Sequence, residues 1–191
     1  MPYQKAKSFM SNISDDLRNG FQDYRITQIN YEDLRPNPLN AETYDPIDSD
    51  MLIALKDNIK ENGLGQPLLV KRNDDGTYTI ISGHTRYACI SMIRQEDPGK
   101  FLKVPCSVWQ GELSPAQEKL LLVTQNIQRT KTPADISREI KAVQSAYNEM
   151  SAQGQPPGKS AQEFISACTN LSTSSVYRYS RIDDNLIPEA K

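Results

Sequence analysis

No apolar run in this 191-residue chain approaches the ~20 residues that a membrane-crossing helix needs. The opening Met1-Pro2-Tyr3-Gln4-Lys5 is polar and lacks the apolar stretch of a signal peptide. There are only three cysteines, Cys89, Cys106 and Cys168, far apart and without a Cys-x-x-Cys pair, and a single histidine, His84. A structural zinc site draws its ligands from closely spaced pairs, so that class is not expected. The expectation is a soluble, cytoplasmic protein with reduced thiols and no membrane partner. Charge of one sign is also missing: 22 Lys and Arg stand against 24 Asp and Glu, a net of −2. A bulk-basic nucleic-acid binder is thereby excluded, while a locally basic one stays open. Internal repeats and low-complexity tracts are absent as well.

What is present is enough apolar material for a modest core, 37% of residues, in one domain or two small ones. Residues 1–24 are polar and mixed and read as a loosely held arm. Arg25-Ile26-Thr27-Gln28-Ile29 alternates as a half-buried strand does. In Arg35-Pro36-Asn37-Pro38-Leu39-Asn40 two prolines argue for an extended, turning path without helix. Asp48-Ser49-Asp50 offers caps for a helix carrying Leu52, Leu55 and Ile59 and ending at Asn62-Gly63. Pro67–Lys71 and Thr77–Ile81 form a hairpin around Asn73-Asp74-Asp75-Gly76. Ser82 to Arg86 closes the second strand, Tyr87 to Arg94 is helical, and Val104 to Trp109 is a further strand.

Ser114-Pro115 and Thr132-Pro133 are helix starts with a cap and a proline in the first turn. After Thr132 the pattern is wholly helical, interrupted by the breaker-rich Gly154-Gln155-Pro156-Pro157-Gly158. Two short helices follow, Ser160–Cys168 and Ser172–Arg181. The reading is α+β: a small mixed-sheet domain over 25–130, then an all-α domain over 131–191.

Three segments carry chemistry. In Ser82-Gly83-His84-Thr85-Arg86 a strand ends in glycine and opens a helix, gathering free N–H groups and the positive end of a helix dipole. Arg86, Ser82 and Thr85 could add bonds to a phosphate there. The plain alternative is a tight turn with Arg86 against an acidic neighbour, and His84 reads as a polar turn residue rather than a base. In Gln125-Asn126-Ile127-Gln128-Arg129 an amide and a guanidinium three residues apart share a face, to serve a ligand or to cap a helix and stitch two halves together. In the last helical pair Ser172, Thr173, Ser174, Ser175, Tyr177, Arg178 and Arg181 read as the exposed side, with Val176 and Tyr179 inward, a make-up that suits a groove-reading helix and equally a plain helical hairpin. From Lys159 to Ile182 the net charge is +2.

Glu61-Asn62-Gly63-Leu64-Gly65-Gln66-Pro67, Ser82-Gly83-His84-Thr85-Arg86-Tyr87-Ala88, Gln125–Arg129 and the helical pair, in that order, resemble the boxes of the ParB partition-protein family from about Arg25 to Pro188. The resemblance implies a ParB/sulfiredoxin-like N-terminal domain followed by a helix-turn-helix domain. It implies that Gly83, His84, Thr85 and Arg86 surround the triphosphate of CTP, with Gln66 nearby, Asn126 facing Mg²⁺ and Arg129 facing phosphates. It further implies double-stranded DNA and a second copy of the chain as partners, with a ParA-type ATPase as a candidate.

Two departures stand out. Where the family has Gly-Glu-Arg-Arg-x-Arg this chain has Gly83-His84-Thr85-Arg86-Tyr87-Ala88, and the acidic metal ligand is the neutral Gln125. Loss of a hard anionic oxygen weakens a Mg²⁺ site, so CTP hydrolysis is expected to be weak. The loop also resembles the phosphate loop of sulfiredoxin, but Gly83 stands where that chemistry needs Cys. The favoured function is therefore a ParB-like DNA-binding protein of plasmid or chromosome partition, or a regulator on a mobile element, gated by a nucleotide. The alternatives are a ParB-like nuclease or nucleotide hydrolase, and a non-catalytic adaptor.

Overall fold

A computed structural model describes residues 26–127, 129–154 and 160–181. The arm expected over 1–24, the prolines of the 155–158 loop and everything after 181 lie outside the described residues. Two compact units divide the chain, one taking Gly20–Ala41 and Asp45–Gly111, the other Glu42–Tyr44 and Glu112–Lys191 together with the first residues.

The first unit is built on a five-stranded mixed sheet in the order β1-β5-β3-β4-β2. β1 (Ile26–Asn30) pairs antiparallel with β5 (Lys103–Val108), which runs parallel to β3 (Leu68–Arg72). β3 turns through Asn73–Gly76 into antiparallel β4 (Tyr78–Ser82), and β4 pairs parallel with the edge strand β2 (Leu34–Pro36). Leu68, Val70, Ile80, Ile81, Val104 and Cys106 are all fully buried, so the central strands read as apolar runs because both faces are covered.

Three helices belong to this part of the chain: α1 (Pro38–Thr43), α2 (Ser49–Asn62) and α3 (His84–Glu96). α2 is capped as expected, with Asp48 accepting from the amides of Asp50 and Met51, and Gly63 ending it at φ 77°. Ile59 of α2 packs against Cys89 and Ile93 of α3, and Lys56 and Lys60 of α2 both bind Glu96 of α3.

Two expectations are corrected here. The Pro36–Pro38 segment does not exclude helix: Asn37 Oδ1 accepts from the Leu39 amide at 3.0 Å and Pro38 occupies the first helical position. There the missing N–H is an orphan anyway and the fixed φ suits the helix. The segment after β4 does not merely close the strand, since α3 already starts at His84.

The helical unit contains α4 (Pro115–Gln125), α5 (Pro133–Ala152), α6 (Ala161–Thr169) and α7 (Thr173–Ser180). Both Ser/Thr-Pro starts form reciprocal capping boxes, Ser114 with Gln117 and Thr132 with Asp135. Ala116, Leu120 and Val123 of α4 share one core with Ile140, Val143 and Ala146 of α5, Phe164, Ile165 and Cys168 of α6, and Val176 of α7. The compact units divide between Gly111 and Glu112, so α4, which precedes residue 130, packs with the helices that follow it.

Candidate functional site

Parallel pairing of β2 with β4, and antiparallel pairing of β3 with β4, bring three chain segments to one end of the sheet. These are Asn37 after β2, Gly83 after β4 and Gln66-Pro67 before β3. Gly83 holds φ 100° and ψ 23°, a left-handed conformation that side chains other than glycine rarely adopt. A Cβ there would sit 2.6 Å from Leu68 Cδ2 and 3.1 Å from Arg86 Nη2, so the space is already filled. Glycine is required twice over, by conformation and by room.

Gly83 is the N-cap of α3 and brings no side chain to its first amides. α2, α4, α5, α6 and α7 all begin with an Asp, Ser or Thr oxygen accepting from their first turn. α3 therefore begins, at its positive dipole end, without the side-chain oxygen that caps these other helices. That arrangement suits an anionic group, phosphate above all.

Arg86 is not set against an acidic neighbour. Its Nη1 donates to the carbonyls of Gln66 at 2.6 Å and Pro67 at 2.8 Å, tying the segment before β3 to the first turn of α3. Burial lowers its pKa from the ordinary value. The residue thus shapes the loop from behind. His84 Nε2 accepts the backbone N–H of Asn37 at 3.3 Å, a bond that needs this nitrogen unprotonated. Thr85 is half-buried in the first turn, and Gln66 is exposed.

Asn126 and Arg129 belong to the helical unit. Asn126 ends α4, its amide N–H reaching Val123 O and its Nδ2 donating to Leu122 O at 2.8 Å. The Arg129 guanidinium lies 4.8 Å over the Tyr44 ring. Asn126 thus caps its own helix, and Arg129 and Tyr44 lie within one unit. Among the described residues no group of three His, Cys, Asp or Glu side chains could hold a metal ion.

α6 and α7 are joined by Asn170-Leu171-Ser172, with Asn170 left-handed at φ 58° and Ser166 Oγ donating to Leu171 O at 2.5 Å. Val176 anchors α7 in the core and Tyr179 packs partly against it. Ser172, Thr173, Ser174, Tyr177, Arg178 and Arg181 are exposed, and Ser175 is half-buried. Ser172 Oγ caps the helix on Ser175 N, and Arg181 Nη1 donates to Tyr177 Oη at 3.1 Å. Tyr177 also borders a cleft of about 480 Å³ whose floor includes Ile140, Ile165 and Val176.

Sequence reasoning missed Asn37, Tyr44, Lys131 and Glu139. Asn37-Pro38 carries the same cap-then-proline signal as Ser114-Pro115, so it was open to discovery; the buried pairing of Tyr44 with Glu139, 95 residues apart, has no local signature.

Residues 16–108 match the family model described as the ParB N-terminal domain. Stage 0 sporulation protein J of Bacillus subtilis (strain 168) is 30% identical over 104 residues, which cover 54% of this chain and 33% of that protein. A probable plasmid-partitioning protein ParB of Thermus thermophilus is 25% identical over 140 residues, covering 73% of this chain and 40% of the relative. The chain therefore matches well under half the length of either relative. Among solved structures, a Pnob8-like ParB-N domain superposes with a TM-score of 0.62 at 14% identity, covering 84% of this chain and 69% of that one, which shows a shared fold.

Proposed function

We propose that the chain acts in DNA partition as a nucleotide-gated DNA-binding protein, with CTP as the nucleotide. The observation that carries the first half is the uncapped start of α3 behind a glycine whose Cβ space is filled. Bound CTP would place phosphate oxygens against the amides of Gly83, His84 and Thr85, and its negative charge is what that helix end favours. Arg86 would hold the floor of the loop through the Gln66 and Pro67 carbonyls.

The second half rests on α7. Its exposed serines, Thr173, Tyr177, Arg178 and Arg181 offer short polar side chains at the helix start and two guanidinium groups further along. Such a helix, following a three-residue turn, is suited to the DNA major groove. A second copy of the chain and a ParA-type ATPase are the protein partners this reading carries, acting in the cytoplasm on nucleoid or plasmid DNA. The relatives' names, a sporulation protein and a plasmid-partitioning protein, favour the partition reading. The hydrolase alternative is weakened by His84, whose Nε2 already accepts an amide proton and so is not placed as a free base.

A thermal-shift screen of CTP, ATP, GTP and UTP tests the nucleotide half, because a ligand that binds only the folded state raises its melting temperature. CTP is expected to give the largest shift. Equal silence from all four nucleotides would remove this half of the proposal.

A further inference from the structure

The sheet of the first unit has two edges, and the sequence treats them differently. β2, at one end, is three residues long and finishes in Pro36, which has no N–H to offer a further strand. Its middle residue, Arg35, turns Nη1 onto the carbonyls of Glu32 at 2.6 Å and Leu34 at 3.0 Å, so acceptors beside it are already engaged. A short strand, a charge and a proline are the usual means of keeping an edge from pairing. β1, at the other end, has none of these: Ile26-Thr27-Gln28-Ile29-Asn30 runs five residues without charge or proline.

The register decides which groups of β1 face outward. Tyr31 N donates to Leu102 O at 3.0 Å, one step beyond Asn30 opposite Lys103 in the pairing of β1 with β5. Bonded and non-bonded pairs alternate along an antiparallel ladder, so Ile29 and Thr27 also direct their backbone groups to β5. Those of Asn30, Gln28 and Ile26 point away from it, where no strand follows among the described residues. Side chains alternate too: Ile29 enters the core, while Ile26, Gln28 and Asn30 are exposed on the opposite face.

Three outward residues at alternate positions are symmetric about the middle one. A second β1, antiparallel and related by a two-fold axis at Gln28, meets all of them. Gln28 opposes its own copy and Ile26 opposes Asn30 on either side, giving about six backbone hydrogen bonds. The 60% exposed Ile26 then gains neighbours across the join, and no like charges meet. Because this pairing is two-fold and the β2 edge is blocked, assembly stops at two copies.

We propose that β1 is a self-association edge, through which two copies of the chain join their sheets about Gln28. The contact is small, so the pairing is weak and depends on concentration. It uses neither the Gly83–Arg86 loop nor α7, and it stands whether or not the nucleotide and DNA readings hold.

Residue-resolved amide exchange by NMR on the full chain tests it, because strand pairing leaves an alternating pattern. The amides of Gln28 and Asn30 should exchange fast in dilute protein and at least about fivefold more slowly in concentrated protein. Thr27 and Ile29, already turned to β5, should not change. Gln28→Lys sets two like charges opposite each other and should erase the concentration dependence, with exchange in β3, β4 and β5 unaltered. Exchange at Gln28 and Asn30 that stays fast at every concentration overturns the proposal. Protection already complete in dilute protein does so too, since the edge is then covered within one chain. A dependence that survives Gln28→Lys, or one that appears elsewhere and spares Gln28, assigns the association to another surface and equally overturns it.

Discussion

Gly83 concentrates the most consequence in one residue. Its left-handed backbone and the 2.6 Å approach of Leu68 Cδ2 to any added Cβ mean that Gly83→Ala must strain the loop or displace a fully buried leucine. The expected loss is about 1–3 kcal/mol in chemical denaturation, together with loss of nucleotide binding. Arg86→Ala separates support from contact: it removes both bonds to the Gln66 and Pro67 carbonyls, so weaker CTP binding in calorimetry should come with faster exchange around residue 66. Glu96 supplies a pH test. Lys56 and Lys60 hold its carboxyl down at about 2, against an ordinary 4.5. A depressed acid stabilises the fold above its unfolded pKa and loses that contribution as pH falls through the folded one. The melting-temperature advantage of wild type over Glu96→Gln should therefore be full near neutrality, shrink from about pH 4.5 downward and vanish near 2. Added salt should reduce it at neutral pH, because the pair is exposed.

At the level of elements, α7 carries the DNA reading. Arg178 is exposed and stacks over Tyr179 at 5.0 Å, which leaves its guanidinium on the outer side of a helix anchored by Val176. Arg178→Ala should weaken duplex binding in fluorescence anisotropy, by about 1–3 kcal/mol if it reads a base, and should leave the melting temperature within a degree or so. Ser172→Ala should do the reverse in part, lowering stability by about 1 kcal/mol through loss of the cap on Ser175 N. Both α6 and α7 were legible in advance because Ser160 and Ser172 are capping residues placed before apolar positions at helical spacing. The hairpin of β3 and β4 was legible from Asn73–Gly76, and α4 and α5 from their proline starts. α1 was not, because Asn37-Pro38 follows Pro36 and the pair of prolines suggested extension; the side chain of Asn37 decided otherwise. The early start of α3 was hidden for a related reason. A helix whose N-cap is glycine carries no capping side chain to announce it, and the absence of that side chain is what the nucleotide proposal rests on.

For the whole molecule, composition excluded much and located little. A net charge of −2 says nothing of where cations gather, and no local pattern predicts that residues 42–44 fold with helices seventy or more positions later. Pairing across that distance depends on burying Tyr44 and Glu139 together, which is a property of the folded chain alone. DNA binding itself should fall steeply with salt, since Lys and Arg displace counterions from phosphates, and the slope should drop by about one when a phosphate-contacting arginine is removed. The most direct measurement for the account as a whole is calorimetric titration of CTP into the full chain, with Gly83→Ala alongside. The account predicts saturable binding to the wild type, weaker or absent for ATP, GTP and UTP, and abolished in Gly83→Ala. Heat of equal size from wild type and variant, or none from either, would contradict it.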